Sequence, residues 1–215
     1  TNGLKRNPFV GDHATLGDTG MFDLLLHERD RAFTVFDVAE LLSRSGLRLV
    51  TFIDPLRYDP MIYLGDEQLA ARLRAMPLLQ RCAFAELLCG NMKTHVFYAV
   101  HSANGSSTVA IPDTPAIVPM LRDLDGEAVA REIAAGGALK VDLDGIKTTF
   151  PLPPMASAIF ARIDGVRSMG EIQRDISETE APGIDWLAFA NQFQQVYRIA
   201  NGLSRVFLRA PGVSR

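Results

Sequence analysis

Phe22–Pro60 reads FDLLLHERDRAFTVFDVAELLSRSGLRLVTFIDPLRYDP, and its middle decides what the chain can be. Thr34 is placed to cap a helix, Asp37 three residues on supports the cap, and Gly46 can take the left-handed conformation that ends it. Between these limits Val35, Val38, Ala39 and Leu42 recur at helical spacing, while Asp37, Glu40, Ser43 and Arg44 fall mostly on the other side. LRLVTFI (Leu47–Ile53) follows, apolar, rich in β-branched residues and closed by Asp54-Pro55, so it predicts a mostly buried strand. A capped helix that turns into a strand is half of an α/β unit and needs a sheet to belong to.

Outward from this unit the pattern continues. Residues 1–20, polar and glycine-containing, read as loop, and Met21–Glu28 as a short apolar helix. Beyond the strand, Asp54–Gly65 is irregular, Asp66 caps a helix carrying Leu69, Ala70 and Leu73, and Pro77 opens LLQRCAFAELLCG, apolar almost all round and therefore expected at the centre. THVFYAVH (Thr94–His101) reads as a strand pairing with Leu47–Ile53. ANGSS (Ala103–Ser107) has the composition of a hinge, which divides the chain into domains 1–102 and 103–215.

The second part predicts a short strand (Thr108–Ile111), a helix over Thr114–Arg122, and an Asp125-capped helix ended by Gly136-Gly137. A hairpin about Asp144-Gly145 and a helix over Pro154–Ile163 come next. Ser168 and Glu171 form a capping box, a last helix spans Ile184–Asn201 with Gly202 as its C-cap, and RVFLR (Arg205–Arg209) closes the chain as a strand. The fold class expected is α+β: a small mixed sheet with helices, followed by a winged-helix-like C-terminal domain.

Three stretches, GDTGMFDLLLHERDRAFTV (Gly17–Val35), RYDPMIYL (Arg57–Leu64) and CAFAELLCGNMKTHVFYAV (Cys82–Val100), resemble in that order a bacterial family. It is the class I S-adenosylmethionine (SAM) dependent methyltransferases with a methyltransferase regulatory domain, which includes the rickettsial-type outer-membrane-protein lysine methyltransferases. IFARIDGVRSMGEI (Ile159–Ile172) resembles the helix-turn-helix of that family's C-terminal domain and of small winged-helix modules that hold peptides. The resemblance implies the end of a methyltransferase domain, a regulatory or dimerisation domain, and a full-length enzyme that uses SAM, possesses an N-terminal methyltransferase domain as partner and works as a homodimer on protein lysine. Thr1 in place of an initiator methionine means that either leading residues were removed or this is a piece of a longer product, a large missing part being what the resemblance implies. The alternative is a stand-alone peptide- or protein-binding winged-helix module with no enzymatic role.

The cofactor site itself is not expected in this chain. SAM needs a glycine-rich loop after a first strand and an acidic residue at the end of a second. Gly136-Gly137 instead follows a helix and precedes a hairpin. No catalytic residue can be assigned; His27, Asp30, Arg31 and Tyr58 are candidates for facing a substrate or partner, against the alternative that His27, Glu28, Asp30 and Arg31 are a solvated helix end with local charge pairs. Glu86, a lone carboxylate in an apolar helix, is either an acid of functional interest or the helix's wet edge.

Composition closes off other classes. With 22 basic and 25 acidic residues the net charge is −3, which supplies no basic footprint for nucleic acid. The last helix carries a single basic residue, Arg198, too few for phosphate contacts. No apolar run approaches the roughly 20 residues that span a bilayer, so a cytoplasmic location is expected. His13, His27, His95 and His101 show no metal-ligand spacing, and Cys82 and Cys89, about 10 Å apart on one helix, are too distant for a disulfide.

Overall fold

The structure is a computed structural model that describes residues 16–26, 31–105, 109–143 and 145–211. It is α+β. Among those residues are eight α-helices and three two-stranded sheets, every one antiparallel rather than mixed. No crossover helix links two of these strands in parallel, which is why no parallel pair forms.

Helix α1 (Gly17–Leu26) begins four residues before the expected start, so part of the presumed loop is helical. Helix α2 (Val35–Arg44) has the full capping box: Asp37 N–H donates to Thr34 Oγ1 at 3.2 Å, and Thr34 N–H donates to Asp37 Oδ2 at 2.9 Å. Gly46 sits at φ +68°, inside the left-handed region a tight helix-to-strand turn requires. Strand β1 (Leu47–Phe52) pairs with β2 (Phe97–His101), as the sequence predicts, with a bulge between Leu49 and Thr51. Only Phe52 of β1 is fully buried; a two-stranded sheet leaves its strands half-covered, so the expectation of a mostly buried strand fails.

The chain then makes two 3-10 turns (Pro55–Tyr58 and Pro60–Ile62) and enters helix α3 (Glu67–Arg74), capped by Asp66, and helix α4 (Leu78–Cys89), ended by Gly90 at φ +61°. Helix α4 is less central than its composition implies. Cys82, Ala83 and Ala85 are buried, yet Leu87 is 81% exposed and Leu78 56%. Val35, Val38, Leu42, Phe52, Tyr58 and Cys82 form the core of this part.

After residue 105 two expectations fail together. No strand covers residues 109–111, and the expected helix over Thr114–Arg122 is strand β3 (Val118–Leu121), paired with β6 (Val206–Arg209). The closing strand needs a partner for its backbone groups, and Val118–Leu121 supplies it; local apolar periodicity gives way to that long-range demand. Helix α5 (Gly126–Gly136), the hairpin of β4 (Ala138–Leu143) and β5 (Ile146–Pro151), helix α6 (Ala156–Phe160), helix α7 (Met169–Thr179) and helix α8 (Trp186–Gly202) follow the expected order, α6 being shorter than expected. Gly202 is not the C-cap. It lies in the last turn of α8, where a Cβ would come within 2.5 Å of Leu56, and Leu203 caps the helix.

The buried side chains of this second part, led by Ile159, Met169, Ile172, Phe189 and Phe193, make a core of their own. The two parts meet where Leu56 packs on Gly202 and where Asp54 N–H donates to Ser204 Oγ at 2.8 Å. Asp54 and Ser204 both stand at φ 53°, a left-handed backbone that side-chain-bearing residues rarely adopt, so the joint holds two strained residues against one another.

Candidate functional site

The densest polar arrangement inside the first core is a three-residue chain. Tyr58 Oη lies 2.9 Å from His95 Nδ1, and His95 Nε2 lies 3.1 Å from Glu86 Oε1. The other carboxylate oxygen, Glu86 Oε2, accepts from the backbone N–H of Val35 at 3.0 Å. Each member comes from a different element: a 3-10 turn, the segment leading into β2, and the middle of α4. They converge because Phe52 at the end of β1 stacks on the Tyr58 ring, centroids 4.1 Å apart, and also contacts the rings of His95 and Phe97.

Proton positions follow from donor and acceptor inventory. A carboxylate only accepts, so His95 presents Nε2–H to Glu86; neutral imidazole then has Nδ1 free to accept, and Tyr58 donates. Burial pushes the Tyr58 hydroxyl up to about 12, so it keeps this proton. Val35 opens α2, and its N–H is one of the groups a helix leaves without an internal partner. Glu86 satisfies that group and places a negative charge at the positive end of the helix. Chemically the chain holds protons rather than passing them: Tyr58 is 5% exposed and its phenol is a poor base or nucleophile. It ties α2, α4, the 3-10 turn and the start of β2 into one unit.

Beside it lies a cavity of about 160 Å³, lined by Tyr58, Asp59, Arg81 and Cys82 among apolar neighbours. Burial pushes the Cys82 thiol up to about 11, which leaves it protonated and unreactive. Arg81 is different: its Nε is buried and finds no hydrogen-bond partner.

Of the residues singled out by sequence, His27 and Asp30 lie outside the described residues. Arg31 is exposed, pairs with Asp37 at 3.0 Å and lies over the Phe33 ring at 5.1 Å. Tyr58 faces inward, contrary to its assignment as a substrate- or partner-facing residue, because its ring completes the stack on Phe52. No hydrogen bond, ion pair or ring contact joins Arg31 to Tyr58. Glu86 is neither a free acid nor a wet edge; it is a paired carboxylate. His95 is the member whose role sequence reasoning missed: it was weighed only as a metal ligand, and its place beside Glu86 is set by the fold.

A second charged arrangement sits in the C-terminal part. Arg162, at the end of α6, donates to Asp175 at 2.6 Å, Glu180 at 2.8 Å and Thr179 at 2.9 Å, tying α6 to α7. Burial opposes its charge, but these acceptors outweigh that and hold its pKa above the ordinary arginine value. Arg167 joins through Asp164 and Asp175. Among the described residues no cluster of three metal-ligating side chains occurs. Nor is any helix there long and apolar enough to cross a membrane.

The SAM fit can be tested on the same geometry. Gly137 ends α5 at φ +66° and leads into β4, and with no parallel strands among the described residues there is no crevice at the carboxyl ends of a parallel sheet. The described residues thus lack the parallel-sheet arrangement by which open α/β folds take a nucleotide-like cofactor. No protein-family model matches the chain, and no curated protein compared with it matches.

Proposed function

We propose that this chain is the accessory region of a SAM-dependent methyltransferase, one that regulates, dimerises or recruits a protein substrate for a catalytic domain carrying the cofactor elsewhere. The observation that carries the reading is where apolar surface is left uncovered. Of sixteen exposed large hydrophobic side chains among the described residues, eleven lie between Leu16 and Tyr98. They include every aromatic one: Phe22, Phe33, Phe36 and Tyr98. Helix α2 buries Val35, Val38 and Leu42 on one side and exposes Phe36 and Leu41 on the other. Apolar surface of this kind marks a docking face for another domain.

The occupant is read as a catalytic methyltransferase domain because seven of those eleven side chains lie in Gly17–Val35 and Cys82–Val100, the stretches that resemble the methyltransferase family. The C-terminal part, with its hairpin, three helices and closing strand, is read as the winged-helix-like domain of that family, and the protein as cytoplasmic. The test is to tag the chromosomal reading frame at its C-terminus, purify the product from its own cells, and measure transfer of tritiated methyl groups from SAM to protein. Methyl transfer that co-purifies with the tagged product is expected; a preparation with no such activity and no accompanying methyltransferase domain overturns the proposal.

A further inference from the structure

The cavity beside Tyr58, about 160 Å³, is walled mostly by apolar groups: Leu49 and Phe52 of β1, Pro55 and the Tyr58 ring of the first 3-10 turn, and Leu78 at the start of α4. Its size is close to the roughly 150 Å³ at which an apolar protein cavity holds benzene. Unlike such a cavity, it also carries two opposite charges in its wall, Asp59 and Arg81. No ion pair among the described residues joins the two. Asp59 Oδ1 accepts from the Met61 N–H at 3.1 Å, while Oδ2 accepts no hydrogen bond from a described residue. Asp59 also acts at a distance on Arg74, whose direct partner, at 2.7 Å, is Glu67. Arg81 leaves its Nε–H buried with no acceptor, a state that costs free energy and that folded proteins rarely tolerate.

We propose that this cavity binds a free apolar α-amino acid of about leucine size. The charges in its wall select that class. A simple carboxylate would satisfy Arg81 but meet Asp59, and a simple amine would satisfy Asp59 but meet Arg81. A hydrocarbon would leave the Nε–H without an acceptor. A zwitterion answers all three demands: its carboxylate accepts from Arg81 Nε–H, its ammonium donates to Asp59 Oδ2, and its side chain fills the space between Leu49, Phe52 and Leu78. A residue inside a peptide has neither backbone charge, so the ligand is the free amino acid. Burial keeps the Tyr58 phenol and the Cys82 thiol protonated, and neither adds a third charge to the wall. An occupant touches β1, the 3-10 turn and α4 at once, so binding stabilises the first part of the chain. Such a site would give the accessory region proposed above a regulatory ligand, yet it stands whether or not a methyltransferase is the partner.

The test uses the whole chain, labelled with nitrogen-15 and titrated with L-leucine. Expected are saturable shifts of the Thr51, Asp59 and Cys82 backbone amides and a melting temperature that rises with leucine concentration. Isocaproate, which lacks the ammonium, and isoamylamine, which lacks the carboxylate, should each bind at least tenfold more weakly than leucine. Arg81→Gln removes a charge that no described residue pairs with, so the free variant should keep a native amide spectrum while leucine affinity falls at least tenfold. Asp59→Asn keeps an oxygen for the Met61 N–H and should reverse the order of ligands, with isocaproate binding more tightly than leucine. The absence of any saturable shift with leucine, isoleucine, valine, methionine or phenylalanine overturns the proposal, as does equal affinity for leucine and isocaproate or unchanged affinity in Arg81→Gln. A crystal structure grown in saturating leucine that shows only an ordered water on Arg81 Nε overturns it too. None of these results depends on methyl transfer, so failure here leaves the methyltransferase reading to its own test.

Discussion

At the scale of single residues, Glu86 explains how a carboxylate can sit in a largely apolar helix. It accepts from His95 on one oxygen and from Val35 on the other, so removing its charge weakens both bonds. Glu86→Gln should lower the free energy of unfolding by about 1–3 kcal/mol, read from urea melts. Tyr58→Phe leaves His95 Nδ1 buried without a donor and should cost a similar amount, on the order of 1–3 kcal/mol. Because the two changes break one network, the double variant should be less destabilised than the sum of the singles. A strictly additive pair would mean that His95 does not couple them. Cys82 offers a cheaper check: buried and held near 11, it should resist alkylation by iodoacetamide at pH 8 until urea unfolds the chain.

At the scale of elements, the helix caps and the hairpin show which parts of the fold were legible. The capping boxes at Thr34 and Ser168, the Asp66 and Asp125 caps and the hairpin all rest on local chemistry, and a sequence displays local chemistry directly. Ser168→Ala, which removes the oxygen that accepts from Glu171 N–H, should cost about 1 kcal/mol in thermal or chemical melts. Strand β3 and Gly202 were not legible for one shared reason, that distant parts of the chain decide them. The partner of β3 lies some ninety residues on, and Gly202 is small because Leu56 occupies the space a Cβ would take. Gly202→Ala should therefore destabilise by about 1–3 kcal/mol through overpacking, although alanine is the better helix former. Were Gly202 merely a helix terminator, the same change would be close to neutral. The candidate site was half legible for the same reason: Glu86 stood out, while His95 and the inward turn of Tyr58 depend on the fold.

At the scale of the whole molecule, opposite shifts bound stability on both sides of neutrality. Asp37 is held low mainly by the Thr34 hydroxyl, and Glu171 by the Ser168 N–H. Burial raises Asp164, but bonds from Arg167 and Val166 outweigh it and leave it low. Depressed carboxylates contribute stability above their ordinary pKa and lose it as pH falls through the folded value, so the chain should weaken steadily below about pH 4. Tyr58 and Cys82 are shifted the other way. Their contribution is complete below the ordinary values, about 8.5 for a thiol and about 10 for a phenol, and is lost as pH rises toward about 11 and about 12. Melting temperature against pH should thus fall at both extremes, and the Tyr58→Phe variant should lose part of the alkaline fall.

The proposal that this chain works against another domain, which holds the cofactor, draws on the uncovered apolar side chains of the first part. The most direct test is calorimetric titration of this chain with SAM, and then with S-adenosylhomocysteine. An accessory region gives no heat of binding with either ligand at concentrations where methyltransferases saturate. Stoichiometric binding at micromolar concentration would contradict it, and would place the cofactor among residues that this fold gives no means of holding it.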